Sequence, residues 1–336
     1  MNFFLKIFKF LPPEFAHSAS LNSLNLLHKF KLLVLFRNKI INKNEHIIFG
    51  MKFRNKLGTA AGLDKNAKQV SQFDDIGFGF IEVGTITPNG QYGNPKPRVR
   101  RLIKEESLLN SLGFPNDGAQ KIKGRLNKIN KEICLGINIG PNKDTTPDKI
   151  IDDYLFCYQE LHEHADFITL NISSPNTPNL RKLHNIESFT KIIKAILNER
   201  DLHQHKPKIL VKLSPDEEDI AYRNLINTIN QTDIDGVIVS NTTNNKILKD
   251  QLNIGHLPGG ISGKSLRDSS NKFLKEITQN IENFSYNKIV ANFHEIYSSL
   301  NKIILNKIEK EKLVENYKKI LVTISPVIPH FANEWM

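Results

Sequence analysis

From Phe53 onward, apolar runs alternate with stretches long enough to hold a helix. The runs are Leu57–Leu63, Phe78–Ile86, Cys134–Gly140, Phe167–Ser173, Lys208–Ser214 and Gly236–Asn241. They are short and rich in Val, Ile and Gly, which reads as βα repetition. That pattern predicts a parallel sheet with right-handed crossovers. Each run ends in polar residues: Asp64-Lys65, Thr85-Ile-Thr87, Asn138, Asn171, Lys212 and Asn241-Thr-Thr243. Polar tips on successive strands predict one shared site at the C-terminal face of an α/β barrel, where such folds carry their chemistry. The densest tip is Asn171-Ile-Ser-Ser-Pro-Asn-Thr-Pro-Asn-Leu-Arg181, which follows the β-branched run Phe167-Ile-Thr-Leu170. A Pro-rich turn accounts for its prolines but not for so many donors and acceptors at one strand end.

The N-terminal pattern is helical. Phe3, Phe4, Ile7, Phe8 and Leu11 fall on one face at the 3.6-residue period, with Lys6 and Lys9 between them. Pro12-Pro13-Glu14 opens a second helix through Leu21, Leu24, Leu27 and Lys31. No uncharged apolar stretch of about 18 residues follows, so a membrane span is not predicted. No small-residue cleavage site marks a secretory signal either. Residues 1–37 are expected to lie on a membrane surface or to cover a hydrophobic opening; an ordinary helical cap on the barrel is the competing reading.

Composition changes this picture little. The chain has 336 residues, 39% of them hydrophobic and 24% charged, enough for one large barrel. A net charge of +11 points to anionic ligands or surfaces. Lys, Asn and Ile are abundant together, however, as in AT-rich coding sequences, so charge alone is not evidence for a nucleic-acid partner. Cys134 and Cys157 have neither C-x-x-C nor metal-ligand spacing and read as buried apolar residues in a reducing compartment.

The strand tips indicate the ligand. Several Asn amides, each both donor and acceptor, suit a planar heterocycle with amide-like edges. Lys65 and Lys212 supply positive charge beside it, and Gly58, Gly62 and Gly84 let backbone approach a flat cofactor. There is no G-x-S-x-G, no metal-type His/Asp cluster, and no G-x-G-x-x-G opening a helix. A flavin barrel fits best.

Specific motifs carry a family resemblance. Ala60-Ala-Gly-Leu-Asp-Lys-Asn66, Ile81-Glu-Val-Gly-Thr-Ile-Thr-Pro88, Asn110-Ser-Leu-Gly-Phe114, Gly136-Ile-Asn-Ile-Gly140, Asn171–Arg181, Val211-Lys-Leu-Ser-Pro215, Asn241-Thr-Thr243 and Gly259-Gly-Ile-Ser-Gly263 resemble class 2 dihydroorotate dehydrogenase, in order. The resemblance implies a (β/α)8 TIM barrel that binds FMN, oxidises dihydroorotate to orotate in UMP biosynthesis, and passes electrons to a quinone. It implies FMN contacts at Ala61, Gly62, Leu63, Asp64, Lys65, Thr85, Asn138, Asn171, Lys212, Ser240 and Gly263. Lys65, Asn110, Ser111, Leu112, Gly113, Phe114, Asn171, Asn176, Asn241 and Thr242 are implied for the substrate. Ser174 is implied as the base that takes the C5 proton while hydride leaves C6. Class 1 relatives place Cys there, so Ser174 and the N-terminal helices select class 2. The helices then become the quinone entrance, and the protein is expected peripherally on an anionic membrane surface, on the cytoplasmic side of a bacterial cell membrane. No metal is implied.

Beyond Asn271–Glu276 the family pattern breaks. Two further strands should follow, one Gly-rich, yet residues 277–336 contain no β-branched run with Gly-Gly. Ile289, Phe293, Ile296, Leu300 and Ile303, then Leu313, Tyr317, Leu321 and Ile324, step as helices do. Ile281–Val290 and Ile324–Trp335 resemble part of the anticodon-binding domain of leucyl-tRNA synthetase. The expected organisation is therefore helices over 1–45, a barrel over 46–276 that stops after six strands, and a helical tail over 277–336. A misassembled or inactive chimera, a real fusion whose tail caps the barrel, and an RNA-binding tail are the alternatives. Near balance of Lys and Glu in the tail argues against nucleic acid.

Overall fold

The computed structural model describes residues 10–36, 46–129, 133–173, 186–216 and 219–279 of the chain. Ser174, Asn176, the face built on Phe3 to Phe8, and the tail from residue 280 lie outside the described residues. The chain divides into two units, Met1–Ile277 and Thr278–Met336, and the sheet and its site belong to the first.

All six expected strands are present. They are β1 (Gly58–Thr59), β2 (Phe80–Ile86), β3 (Cys134–Ile139), β4 (Phe167–Leu170), β5 (Lys208–Lys212) and β6 (Gly236–Ile238). They form one sheet in sequence order, every pair parallel. The first and last are shorter than the apolar runs that announced them. Beyond Thr59 the chain turns into a loop that hydrogen-bonds to β2 instead of extending, with Gly62 N donating to Gly84 O at 2.8 Å. Beyond Ile238 the polar segment Ser240 to Thr243 takes irregular partners: Asn241 N donates to Leu213 O at 2.8 Å, and Thr243 exchanges backbone hydrogen bonds with Ile261.

Helices fill the crossovers: α1 (Pro13–Lys29) before the sheet, then α2 (Val70–Ile76), α3 (Ala119–Leu126), α4 (Ile150–Leu161), α5 (Ile186–Leu202), α6 (Asp219–Asn230) and α7 (Lys246–Gln251). Residues 264–279 are helical as well. The first helix starts where Pro12-Pro13-Glu14 predicts. Pro13 occupies the first turn, where its missing N–H costs nothing, and Glu14 and Lys29 complement the helix dipole. In α4 the residues Ile150, Tyr154, Cys157, Tyr158 and Leu161 make one buried stripe.

The core lies between sheet and helices. Ile81, Val83 and Ile86 of β2, Ile137 and Ile139 of β3, and Ile168 and Leu170 of β4 are wholly inaccessible. Each such side chain stabilises the fold by about 1.5–3 kcal/mol. At the N-terminal end of the sheet, Phe53, Phe80 and Phe167 meet edge-to-face, covered by the hairpin His46–Ile48/Met51–Phe53. Gly136 makes room there, since a Cβ on it would sit 2.0 Å from the Phe167 ring. Both cysteines are buried, and neither is in a disulfide.

Among the described residues, three antiparallel elements accompany the parallel sheet and are not announced by the hydrophobic pattern. They are the hairpin just described, the pair Asn89–Gln91/Asn116–Gly118, and a three-stranded sheet of Val99–Leu102, Ser107–Asn110 and Gly260–Gly263. The strands of the last two mix Arg, Asn and Gly with few apolar residues, so no period of two stands out.

Candidate active site

Register sets the level of the site. Thr169 pairs with Asn138 and Leu170 with both Ile139 and Val211. One step further, Asn171 is held by its N–H on Ile139 O at 3.0 Å. The side chains of β2, β3, β4 and the segment after β6 then converge in a single hydrogen-bonded row. Thr85 Oγ1 donates to Asn138 Oδ1 at 2.6 Å; Asn171 Nδ2 donates to Thr85 Oγ1 at 2.9 Å and to Asn138 Oδ1 at 3.3 Å. Asn241 Nδ2 donates to Asn171 Oδ1 and to Ser173 Oγ, each at 3.2 Å. Ser173 Oγ donates to Lys212 O at 2.7 Å, tying β5 to the row. Asn138 and Asn171 are buried, while Asn241 is half-buried, so the amides lead from the interior toward the opening.

The loop after β1 forms the second wall. Gly84 N donates to Asp64 O at 3.0 Å and Lys65 Nζ to Gly62 O at 2.6 Å. The Asp64 carboxylate accepts the backbone N–H of Asn66, Lys68 and Gln69, at 3.2, 3.0 and 2.7 Å, and so caps the turn that leads into α2. Its role here is to shape the loop. Gly62 has φ +104° and no heavy atom within 4 Å of where a Cβ would stand, leaving backbone open to a flat ligand.

The segment Asn110–Phe114 continues from the strand Ser107–Asn110. Asn94 holds it through Ser111 O at 2.9 Å, and Gln91 Nε2 reaches Gly113 O at 3.1 Å. Phe114 adopts φ +51°, and its ring lies beside Gly140, where a Cβ would be 3.3 Å from the ring and 3.0 Å from Thr85 Cγ2. Phe114 and Thr85 therefore border the same space. Thr242 N donates to Asn241 Oδ1 at 2.9 Å.

Two of the expected residues stand apart from the row. Ser240 Oγ bonds Asn241 O at 3.1 Å and pairs with Ser270 Oγ at 3.2 Å, toward the helix 264–279. Gly263 is exposed and pairs with Ser107 in the three-stranded sheet; with φ +99° and a would-be Cβ 2.7 Å from Glu106 O, its local need for glycine is the strand pairing. The sequence reading missed Glu82, which lies inside β2 at 4% exposure. It accepts from Ala61 N and Asn138 Nδ2, each at 2.9 Å. A carboxylate in the middle of an otherwise apolar strand was the available signal.

Charge at the rim is cationic. Burial, with the Arg98 guanidinium nearby, holds the Lys65 ammonium below its ordinary value, and Asp64 and Glu14 oppose this. Arg98 Nε pairs with Glu14 of α1 at 3.0 Å, and Arg101 reaches Leu11 O at 2.6 Å. His17 Nε2 sits 2.8 Å from Leu63 O, and burial lowers its basicity. Helix α1 is thus seated beside the Lys65 loop. Its outer side carries exposed apolar residues among polar ones: Phe15 and Leu26, with Phe10 and Phe30 flanking the helix, are all more than half exposed, and Ser18, Asn22, Ser23 and Lys29 are exposed beside them. Among the described residues, no helix is long and apolar enough to cross a membrane.

The dihydroorotate dehydrogenase family profile matches residues 44–291, and the profile for the anticodon-binding domain of tRNA ligase matches residues 264–336. The chain is 36% identical over 277 residues to a dihydroorotate dehydrogenase (quinone) of Legionella pneumophila, covering 81% of each chain. It is 38% identical over 276 residues to the enzyme of the same name from Serratia proteamaculans, covering 81% of this chain and 82% of that one. A ligand-free DHODH structure from Eimeria tenella superposes with a TM-score of 0.72 at 32% identity, covering 80% of each chain. The fold is thus that of these barrel enzymes, and the chain belongs to the dihydroorotate dehydrogenase family.

Proposed function

We propose that this chain oxidises dihydroorotate to orotate in pyrimidine biosynthesis, with FMN bound over the strand ends and a quinone as electron acceptor. The observation that carries the reading is the Asn138–Asn171–Asn241 row at the C-terminal ends, with Lys212 tied to it through Ser173 and Lys65 on the loop that Glu82 joins to Asn138. Orotate has a carboxylate and a uracil-like edge. Lys65 pairs with the carboxylate, while Asn171, Asn176 and Asn241 read the ring's N–H and C=O pattern. Asn110 to Phe114 and Thr242 close the pocket. Ser174 takes the C5 proton.

The residues present fit FMN. Open backbone at Gly62, the buried Thr85 and Asn138, and the cation of Lys212 match a flat ring with amide-like edges that becomes electron-rich on reduction. Bound there, FMN supplies the hydride acceptor. Ala61 to Lys65, Thr85, Asn138, Asn171 and Lys212 hold and polarise it, with Ser240 and Gly263 assigned to its outer part. The exposed apolar residues of α1 support a peripheral seat on a membrane surface; we assign that seat to the anionic cytoplasmic side, with the quinone entering beneath α1. We assign residues 1–45 to this entrance, 46–276 to the barrel and 277–336 to a separate helical tail.

The test is Ser174→Ala. Dihydroorotate oxidation is expected to fall by at least ~100-fold, the usual contribution of a positioned base, while bound flavin is retained. Unchanged turnover would refute the role of Ser174. A second reading, RNA binding, attaches to the tail because of its match to the anticodon-binding family. It predicts salt-sensitive binding to leucine tRNA, and none is expected.

A further inference from the structure

We infer that Glu82 is a positioning residue: it sets the direction in which the whole amide row points. The functional part of this inference rests on the dihydroorotate reading above. A carboxylate only accepts hydrogen bonds. Glu82 is buried, and its two oxygens meet two donors, Ala61 N and Asn138 Nδ2, each at 2.9 Å. Asn138 must therefore turn its NH2 to Glu82 and its Oδ1 the other way. That oxygen accepts from Thr85 Oγ1 and from Asn171 Nδ2. With its NH2 engaged inward, Asn171 presents Oδ1 outward, and Asn241 must answer with its own NH2 at 3.2 Å. Asn241 Oδ1 is then left for Thr242 N at 2.9 Å. Three amides that are ambiguous by shape are ordered by one carboxylate at the buried end.

Glu82 also joins the two walls, because Ala61 opens the loop that carries Lys65. Replacing it by glutamine keeps its size but supplies one acceptor where two are needed. The new NH2 then faces either Ala61 N–H or the Asn138 NH2. If Asn138 flips to relieve the second clash, its NH2 confronts Thr85 and Asn171, and the mismatch passes along the row to Asn241.

The experiment uses the full chain and a swap. Glu82→Gln, Asn138→Asp and the double variant are compared by thermal unfolding without added ligand. Each single change is expected to lower the midpoint by about 5 °C, the contribution of a charge-assisted hydrogen bond in a chain of this size. The double variant should recover most of that loss. In it the introduced amide donates to the introduced carboxylate and accepts from Ala61 N, and the carboxylate keeps an acceptor facing Thr85 and Asn171. Additive losses in the double variant would overturn the inference. In turnover assays with FMN added to saturation, Glu82→Gln is expected to raise the dihydroorotate KM about tenfold, the effect of one misdirected polar contact. A parental KM would equally overturn it. If the parent chain turned over no dihydroorotate, the proposed function would fail, while the unfolding comparison would still decide whether Glu82 orders the row.

Discussion

At the scale of single residues, the site depends on polar groups whose surroundings shift their behaviour. Lys65 illustrates this. Burial and Arg98 favour its neutral form, so its proton leaves below the ordinary 10.5. Pairing with a substrate carboxylate requires the proton. As pH rises through the lowered value the ammonium is lost, so kcat/KM for dihydroorotate is expected to decline on the alkaline side starting below 10.5. Lys65→Arg should move that limb upward, because a guanidinium keeps its charge. A pH profile of both proteins checks this, and coincident alkaline limbs would contradict it. The residues themselves are legible in the chain: Lys65, Thr85, Asn138, Asn171 and Asn241 stand out as polar tips on apolar runs. Their mutual order is not legible there, because a hydrogen bond between Asn171 and Thr85 spans 86 positions of chain.

At the scale of elements, β2 and α1 place the walls. Gly84 in β2 shows why backbone shape matters. Its φ is +113°, and a Cβ there would lie 2.4 Å from Asn138 O, a backbone atom that cannot move aside. Gly84→Ala is expected to destabilise the fold by about 2–4 kcal/mol through strain and overpacking, read as a lowered midpoint in denaturant. Helix α1 is predicted by its opening prolines and its leucines, and it forms where expected. What its period does not reveal is that much of the apolar side stays open: Phe15, Leu26 and the adjoining Phe30 are exposed. Replacing these three by Ser is expected to weaken binding to anionic phospholipid vesicles, read by cosedimentation, by ~1000-fold or more, since each buried aromatic or leucine contributes about 1.5–3 kcal/mol. Equal sedimentation of variant and parent would remove the membrane assignment. The accessory antiparallel strands leave no such mark, because their pairing comes from contacts such as Gly260 with Asn110, far apart in sequence and without alternation.

At the scale of the whole molecule, the parallel sheet of the described residues runs from β1 at one side to β6 at the other. In a closed barrel each strand has two neighbours, whereas an edge strand presents unpaired backbone groups. The family match and the strand order support a barrel, but residues 277–336 read as helices rather than as the Gly-rich strand implied for the flavin phosphate. The chain as written is therefore expected to bind FMN below one equivalent. The ratio of flavin absorbance to protein in the purified chain measures this, and a full equivalent would contradict it. The matched span covers about four-fifths of the relatives' own length, so the shared part of the fold is large enough to carry the strand-end chemistry.

The chain by itself determined the strands, their parallel order and the polar tips that meet at their C-terminal ends. These depend on local period and on the alternation of strand and helix, which leave marks within a few residues. Tertiary structure alone decided which amide faces which, that Asp64 shapes a loop, that Gly263 serves a strand pair, and that Glu82 stands behind the row. Those outcomes depend on which strand ends meet, and on the rule that a buried carboxylate must be met by donors wherever in the chain they come from.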